Sequence, residues 1–507
     1  MKIHLTYITK YLSAALLFVT VPSSGQNAFM KVVAQDGTGD YRSINEAVGS
    51  CTQDGTRNFI FIKNGTYEEQ VKIPKGITLS IIGENRDKTV ITHSVSHASG
   101  LDKEETSTIY VEAFDLYGEN FTTQHTAGRN GGQAECITNS GDRMTFRNVA
   151  MKANQDGVRF DHASRSYMKD CYIEGTVDYI YDSGIAFLDN CEIKQLYPGY
   201  IVAPGNSYVL ISRTESKELC GQSKLWNIGI TIRDSRLTCD EANVKSGASY
   251  LGRPWGKTSS AAMFIRCKMD SHINAAGFTN MSEGTKTYIG EYQSMDLGGN
   301  PIDVSKRISW EFTEDPAHNS QYIDERVINN IYDMERVYTL AGKSGARAGG
   351  EFNPIPLVTP VPAPAVACSG GKFTWQAADG AAGYLIYKNG RYLCNTAATE
   401  FEDTDYDSSA RYTLRTVSAT GCLGDEADMT ATGIDAAVSE ELEIKTSADG
   451  IYWNTRAKAM LYSASGLQVA STEGTWMSWG NLPRGCYILK VVTGGKDCTV
   501  RKIMKRM

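Results

Sequence analysis

Histidine is scarce in this chain, with seven among 507 residues. Those seven are scattered, without the close spacing of a metal-ligand set. No G-x-S-x-G elbow is present either, which disfavours a serine esterase. Excess positive charge is also missing: the formal net charge is −7, which argues against nucleic acid as a partner but leaves open an anionic polymer held by a few placed cations. Long apolar runs are absent after the N-terminus, so no stable membrane span is expected. The one apolar run, Leu12 to Val21, is too short to cross a bilayer. It follows Lys2 and Lys10 and precedes the small residues Ser23, Ser24 and Gly25, the pattern of a signal peptide over residues 1–25. The mature protein is therefore expected to be exported, to the periplasm, the cell surface or the medium. Twelve cysteines permit disulfides in that setting without prescribing them.

Against these absences stands one strong regularity. Gln133 and Gln155 are 22 residues apart, and so are Asp156 and Asp178. The segments Thr145–Asn148, Tyr167–Asp170, Phe187–Asn190 and Thr231–Asp234 start 22, 20 and 44 residues apart, which reads as one, one and two turns of a common period. A short-period repeat of strand-like segments predicts a parallel β-helix, in which residues one coil apart stack at roughly 4.8 Å. Asp156 should then sit against Asp178, with the two glutamines stacked beside them. Two carboxylates in a partly desolvated groove cannot both ionise cheaply, so the pair divides into a carboxylate and a neutral acid. By the same stacking, Cys171 and Cys191, 20 residues apart, are expected to form a disulfide between adjacent coils.

Along the chain, Ser43-Ile44-Asn45-Glu46 reads as a capping box opening a short helix that covers the open end of the solenoid. A helical stretch from Asp324 to Thr339 is expected to close the domain. Five of the 13 prolines fall between Pro354 and Pro364, marking a semi-rigid spacer. The expected division is a catalytic β-helix at 26–347, a proline-rich linker at 348–366, a fibronectin type III-like sandwich at 367–432 with a hairpin turn at Asn389-Gly390, and a C-terminal β domain at 433–507 that resembles sorting domains of secreted proteins. The fold class is all-β, a β-helix followed by two small sandwiches.

The blocks Gly65–Glu69, Gln133-Ala134, Gln155-Asp156, Gly175–Asp178 and Leu251–Trp255, with the flanking pieces Ala34–Tyr41, His125–Gly128 and Ile273–Phe278, resemble the signature blocks of pectin methylesterases in order and spacing. The resemblance covers roughly residues 30 to 315 and implies a right-handed helix, hydrolysis of galacturonate methyl esters in homogalacturonan, and no metal or cofactor. Carried over by motif position, it implies Asp178 as nucleophile, Asp156 as acid/base, Gln133 and Gln155 as oxyanion donors, Arg253 as the partner of Asp178 that also faces substrate, and Trp255 and Tyr179 as sugar contacts. Pectin is the expected partner, with secretion machinery engaging the C-terminal domain. The sequence departs from the family pattern at Gly157-Val158, at Tyr179-Ile180-Tyr181-Asp182 in place of Phe-Ile-Phe-Gly, and at Phe278 in place of Trp, so the groove walls differ. The alternatives are a pectate-lyase-like helix, which needs calcium and a basic proton acceptor, and a non-catalytic pectin-binding solenoid.

Overall fold

The computed structural model describes residues 28–281, 287–317, 321–429, 444–446, 450–463, 468–480, 482–493 and 497–505. The expected signal peptide lies outside them. The chain divides into two compact units, 1–430 and 431–507.

The first unit is built on a right-handed β-helix. Among the described residues its three parallel sheets hold ten, nine and seven strands. One coil shows the plan: Met144–Arg147 lies in sheet I, Ala150–Lys152 in sheet II and Val158–Phe160 in sheet III, before Arg165–Lys169 returns to sheet I. The turn from sheet I to sheet II is a single left-handed residue. Asn120, Asn148, Asp170, Asn190, Asp234, Arg266 and Gln293 occupy it on successive coils, with φ between 50° and 66°. Asn and Asp tolerate that region better than most residues, which explains why four of the repeated sequence segments end in Asn or Asp. Their side chains also ladder, Asn148 donating to Asn120 at 3.0 Å and Asn190 to Asp170 at 2.6 Å.

Inside, like stacks on like. Met151, Ile173, Ile193, Leu237 and Met269 pair in sequence along sheet II and are almost wholly buried, each contributing about 1.5–3 kcal/mol by burial. The capping box forms at Ser43 and Glu46, and the helix Ile44–Gly49 buries Ile44, Ala47 and Val48 against this core.

The 44-residue interval is one coil, not two. Phe187 pairs directly with Thr231, and the excess length is taken up by an inserted hairpin and helix, Val209–Ile211, Arg213–Cys220 and Trp226–Ile228. The sequence segment 324–339 forms two helices, Glu325–Asn330 and Met334–Lys343. They share a second core with Tyr117, Tyr167, Phe187 and Met263, the outward side chains of sheet I.

The expected disulfide is not formed: Cys171 and Cys191 are free, buried thiols. They stand parallel at equivalent points of successive coils, just before the paired residues Tyr172 and Glu192. Each thiol donates instead to backbone carbonyls, that of Cys171 to Lys169 at 3.4 Å and that of Cys191 to Asp189 at 3.5 Å.

After the helices the chain stays on the solenoid. The wholly buried Arg165 pairs with Asp142 at 2.8 Å and donates to the carbonyls of Gly349 and Gly350, and Val358 is buried in the second core. The proline-rich stretch thus runs against the solenoid instead of holding two bodies apart. Two antiparallel sheets of three and four strands follow between Val366 and Asp428. The hairpin turn has φ of 54° at Asn389 and 73° at Gly390, as a two-residue type I′ loop requires. This module packs on sheet I. Phe61 and Tyr392 stack at 4.3 Å, the Leu423 N–H donates to Glu119 at 2.9 Å, and Ser80 donates to the Thr420 carbonyl at 2.6 Å. A chain ending at residue 347 would expose Phe61, Ile82 and Tyr117 and strip Arg165 of the Gly349 and Gly350 carbonyls, leaving it that of Tyr338. It is expected to melt at least several degrees below a chain ending at 430 and to be cleaved faster in limited proteolysis; equal melting of the two would mean that the docking contributes nothing.

The second unit contains a five-stranded antiparallel sheet, Ile444–Thr446, Gly450–Ser463, Gln468–Ser478, Gly485–Thr493 and Asp497–Lys505. Its core includes Ile451, Trp453, Leu461, Trp479 and Leu489.

Candidate active site

The corner between sheets II and III carries the polar ladder. Gln133 and Gln155 form a parallel bridge between successive coils. The next residue, Asp156, adopts φ 61°, and Asp178, one coil on, adopts φ 53°. The Asp156 N–H donates to the Val177 carbonyl at 3.1 Å and the Asp178 N–H to that of Tyr200 at 2.8 Å, so both left-handed turns are locked by the following coil. Strained backbone held by its surroundings is common where side chains must be aimed.

Arg253 reaches Asp178 from the strand Tyr250–Gly252. Its Nε lies 3.0 Å from Oδ1 and its second terminal nitrogen 2.6 Å from Oδ2, a two-point clamp that a lysine cannot make. The guanidinium also lies 4.2 Å over the Tyr200 ring. Gly252 is needed here because a Cβ would run into the Val202 carbonyl of the neighbouring strand. Gln133 donates to Asp156 at 2.7 Å, which leaves its second amide N–H uncommitted. Gln155 is half-buried beside it, and Trp255 is exposed.

Electrostatics separate the carboxylates. Burial pushes Asp156 up to about 7; the Lys103 ammonium opposes the rise, while the negative charges of Asp178 and Glu135 add to it. Asp178 is also raised by burial, but less far, because the hydrogen bonds and charge of Arg253 favour its ionised form. Near neutral pH the site therefore holds a carboxylate at Asp178 and a partly protonated acid at Asp156.

Tyr179 is not at this surface. It is fully buried in the solenoid core, and its hydroxyl has no hydrogen-bond partner. The left-handed turn at Asp178 sends the next side chain inward, onto the face of Gly175, where a Cβ would overlap the tyrosine. Tyr181, two residues on, is the aromatic near the dyad, and with it comes a polar network not anticipated from the sequence. The Tyr181 hydroxyl donates to the wholly buried Glu135 and accepts from Lys103 at 2.5 Å. Glu135 also meets His97 at 3.0 Å and Lys103 at 3.4 Å. The departure from the family pattern at Tyr181 was the available signal; His97 and Lys103 open two short helices, His97–Ser99 and Lys103–Thr106, that carry no motif. Asp182, where the family pattern has Gly, adopts φ 84° and is held by Arg159 at 2.7 Å.

The family model for pectinesterases matches residues 30–330 of this chain. The chain belongs to the pectinesterase family. Among curated relatives, a pectinesterase of Daucus carota is 32% identical over 289 residues, covering 55% of this chain and 86% of the relative. Pectinesterase/pectinesterase inhibitor 18 of Arabidopsis thaliana is 30% identical over 288 residues, 55% of this chain and 49% of the relative. Pectinesterase 2 of Citrus sinensis is 30% identical over 300 residues, 57% and 56%. The chain thus spans about half the length of the last two. Among solved structures, the pectin methylesterase from carrot has a TM-score of 0.49 at 28% identity, covering 57% of this chain and 89% of that one. That of Aspergillus niger has a TM-score of 0.48 at 23% identity, covering 57% and 91%. The region that matches the family model contains the whole polar corner, from His97 to Trp255.

Proposed function

We propose that this chain hydrolyses galacturonate methyl esters of homogalacturonan, with Asp178 as nucleophile, Asp156 as acid/base and Gln133 and Gln155 as oxyanion donors. The observation that carries the reading is the division of labour in one stacked pair: Asp178 clamped by Arg253 at two points and Asp156 held near 7 one coil away.

In this reading the Asp178 carboxylate attacks the ester carbonyl, and the glutamine amides donate to the tetrahedral oxyanion, each contributing roughly 10²- to 10³-fold. As the C–O bond breaks, Asp156 passes its proton to the departing methoxide, giving methanol and an acyl-aspartate anhydride. The Asp156 carboxylate then takes a proton from water, whose oxygen attacks the anhydride. Asp178 leaves as a carboxylate, and the galacturonate is freed. The exposed Trp255 offers a flat apolar surface to a sugar ring. Export is supported by the charged and apolar N-terminal pattern, and a sorting role for residues 433–507 rests on resemblance alone.

Methanol release from pectins of defined methylation tests the reaction and the substrate class together. Unsaturated uronides that absorb in the ultraviolet, in place of methanol, would favour a lyase; tight pectin binding with no turnover would favour a binding solenoid. Arg253→Lys is expected to lower kcat on the order of 10²-fold, since a point charge replaces the two-point clamp that orients the nucleophile. Near-normal turnover by that variant would remove Arg253 from the mechanism.

A further inference from the structure

Farther along the corner between sheets II and III, three side chains from two successive coils converge. Cys239 ends the strand Arg236–Cys239. Asp270 and His272 follow the next strand of the same sheet, Lys268–Met269, which pairs with it through Leu237 and Met269. Cys239 Sγ lies 3.5 Å from Asp270 Oδ2, and one donor atom from each of Cys239, Asp270 and His272 lies within 4.8 Å of the others. His272 is 1% exposed, and neither of its ring nitrogens has a hydrogen-bond partner. A buried polar group without a partner is costly, and an imidazole beside a thiol and a carboxylate has an obvious one.

We propose that Cys239, Asp270 and His272 bind a divalent transition-metal ion of the zinc class. One sulfur, one nitrogen and one carboxylate oxygen form a borderline donor set that suits zinc and disfavours calcium or magnesium, which take all-oxygen shells. Cys239 and Asp270 are half-buried, so water can complete a tetrahedral shell from the outer side. Binding requires loss of the thiol proton, which passes to solvent.

The ion has a structural task in this position. The loop 240–249 leaves from Cys239 and returns at Ser249, whose N–H donates to the His272 carbonyl at 2.9 Å and which bridges Ile273. The chain then enters Tyr250–Gly252 and reaches Arg253. A metal joining Cys239 to His272 closes the base of this loop, next to the strand that carries Arg253. None of the three ligands belongs to the proposed esterase set, so the metal site and the esterase reading stand or fall separately.

The test uses the full mature chain, reduced and stripped with a chelator, then titrated with Zn²⁺ and, as a spectroscopic probe, Co²⁺. The expected result is one equivalent bound, a thiolate-to-Co²⁺ charge-transfer band and a rise in Tm with Zn²⁺. Cys239→Ser should abolish the band and weaken Zn²⁺ binding on the order of 100-fold, and Asp270→Asn should weaken it less. These two half-buried positions keep the test decisive if His272→Ala fails to fold. No uptake by the reduced wild type at tens of micromolar Zn²⁺, or a band and stoichiometry unchanged by Cys239→Ser, would overturn the assignment.

Discussion

Asp178→Asn is expected to lower methanol release on the order of 10⁴-fold or more while the protein remains folded. The carboxylate is the only group of the proposed mechanism that forms a covalent bond to substrate, and the amide that replaces it is a poor nucleophile. Asn also accepts the φ of 53° found at this position better than Ala or a β-branched residue would, so the turn and its hydrogen bond to Tyr200 should persist. Circular dichroism and thermal melting establish folding, and a single-turnover experiment with an activated ester establishes the loss of acylation. Substantial turnover by the pure variant, or a burst of leaving group equal to that of the wild type, would move the nucleophile elsewhere.

Asp156→Asn should act differently, in both rate and stability. Leaving-group protonation and deacylation both pass through Asp156, so turnover of methyl esters should fall roughly 10²- to 10⁴-fold. An activated ester whose leaving group needs no proton should still acylate Asp178, leaving a burst followed by slow release. The stability effect follows from the raised pKa. Asp156 titrates near 7 in the folded protein and near 3.9 when unfolded, so its contribution is fully present below about 4 and is lost as pH rises through 7. The difference, about three pH units, corresponds to up to about 4 kcal/mol. The variant has no such titration. Relative to wild type it should gain stability between pH 4 and 8, measured by denaturant unfolding at several pH values. Parallel stability curves for the two proteins would show that Asp156 is not held near 7. The activity of the wild type should likewise decline above pH 7, as the acid form of Asp156 is lost.

The β-helix was legible because its cause is local and repeated. Strands one coil apart pair at nearly constant sequence separation, so a period of 20 to 22 residues is the direct imprint of parallel stacking, and the Asn and Asp residues that end the repeats mark left-handed turns. The same arithmetic brought Asp156 to Asp178 and Gln133 to Gln155. It failed where length or direction departs from the period. An inserted hairpin and helix made one coil 44 residues long. The left-handed turn at Asp178 reversed the facing of Tyr179, so adjacency in sequence did not mean adjacency in the groove. Parallel stacking also set Cys171 beside Cys191, yet as free thiols and not as the expected bridge.

What the sequence by itself determined is the coil and the column, because both depend on residues at a fixed interval. Which groups gather around the columns was decided only by the tertiary structure. Lys103 and His97 reach Glu135 and Tyr181 from two short helices outside the periodic register of the coils. Leu423 finds Glu119 across 304 residues. Such contacts arise from packing of irregular segments against a regular scaffold, where burial and hydrogen-bond satisfaction select partners and sequence spacing carries no record of them.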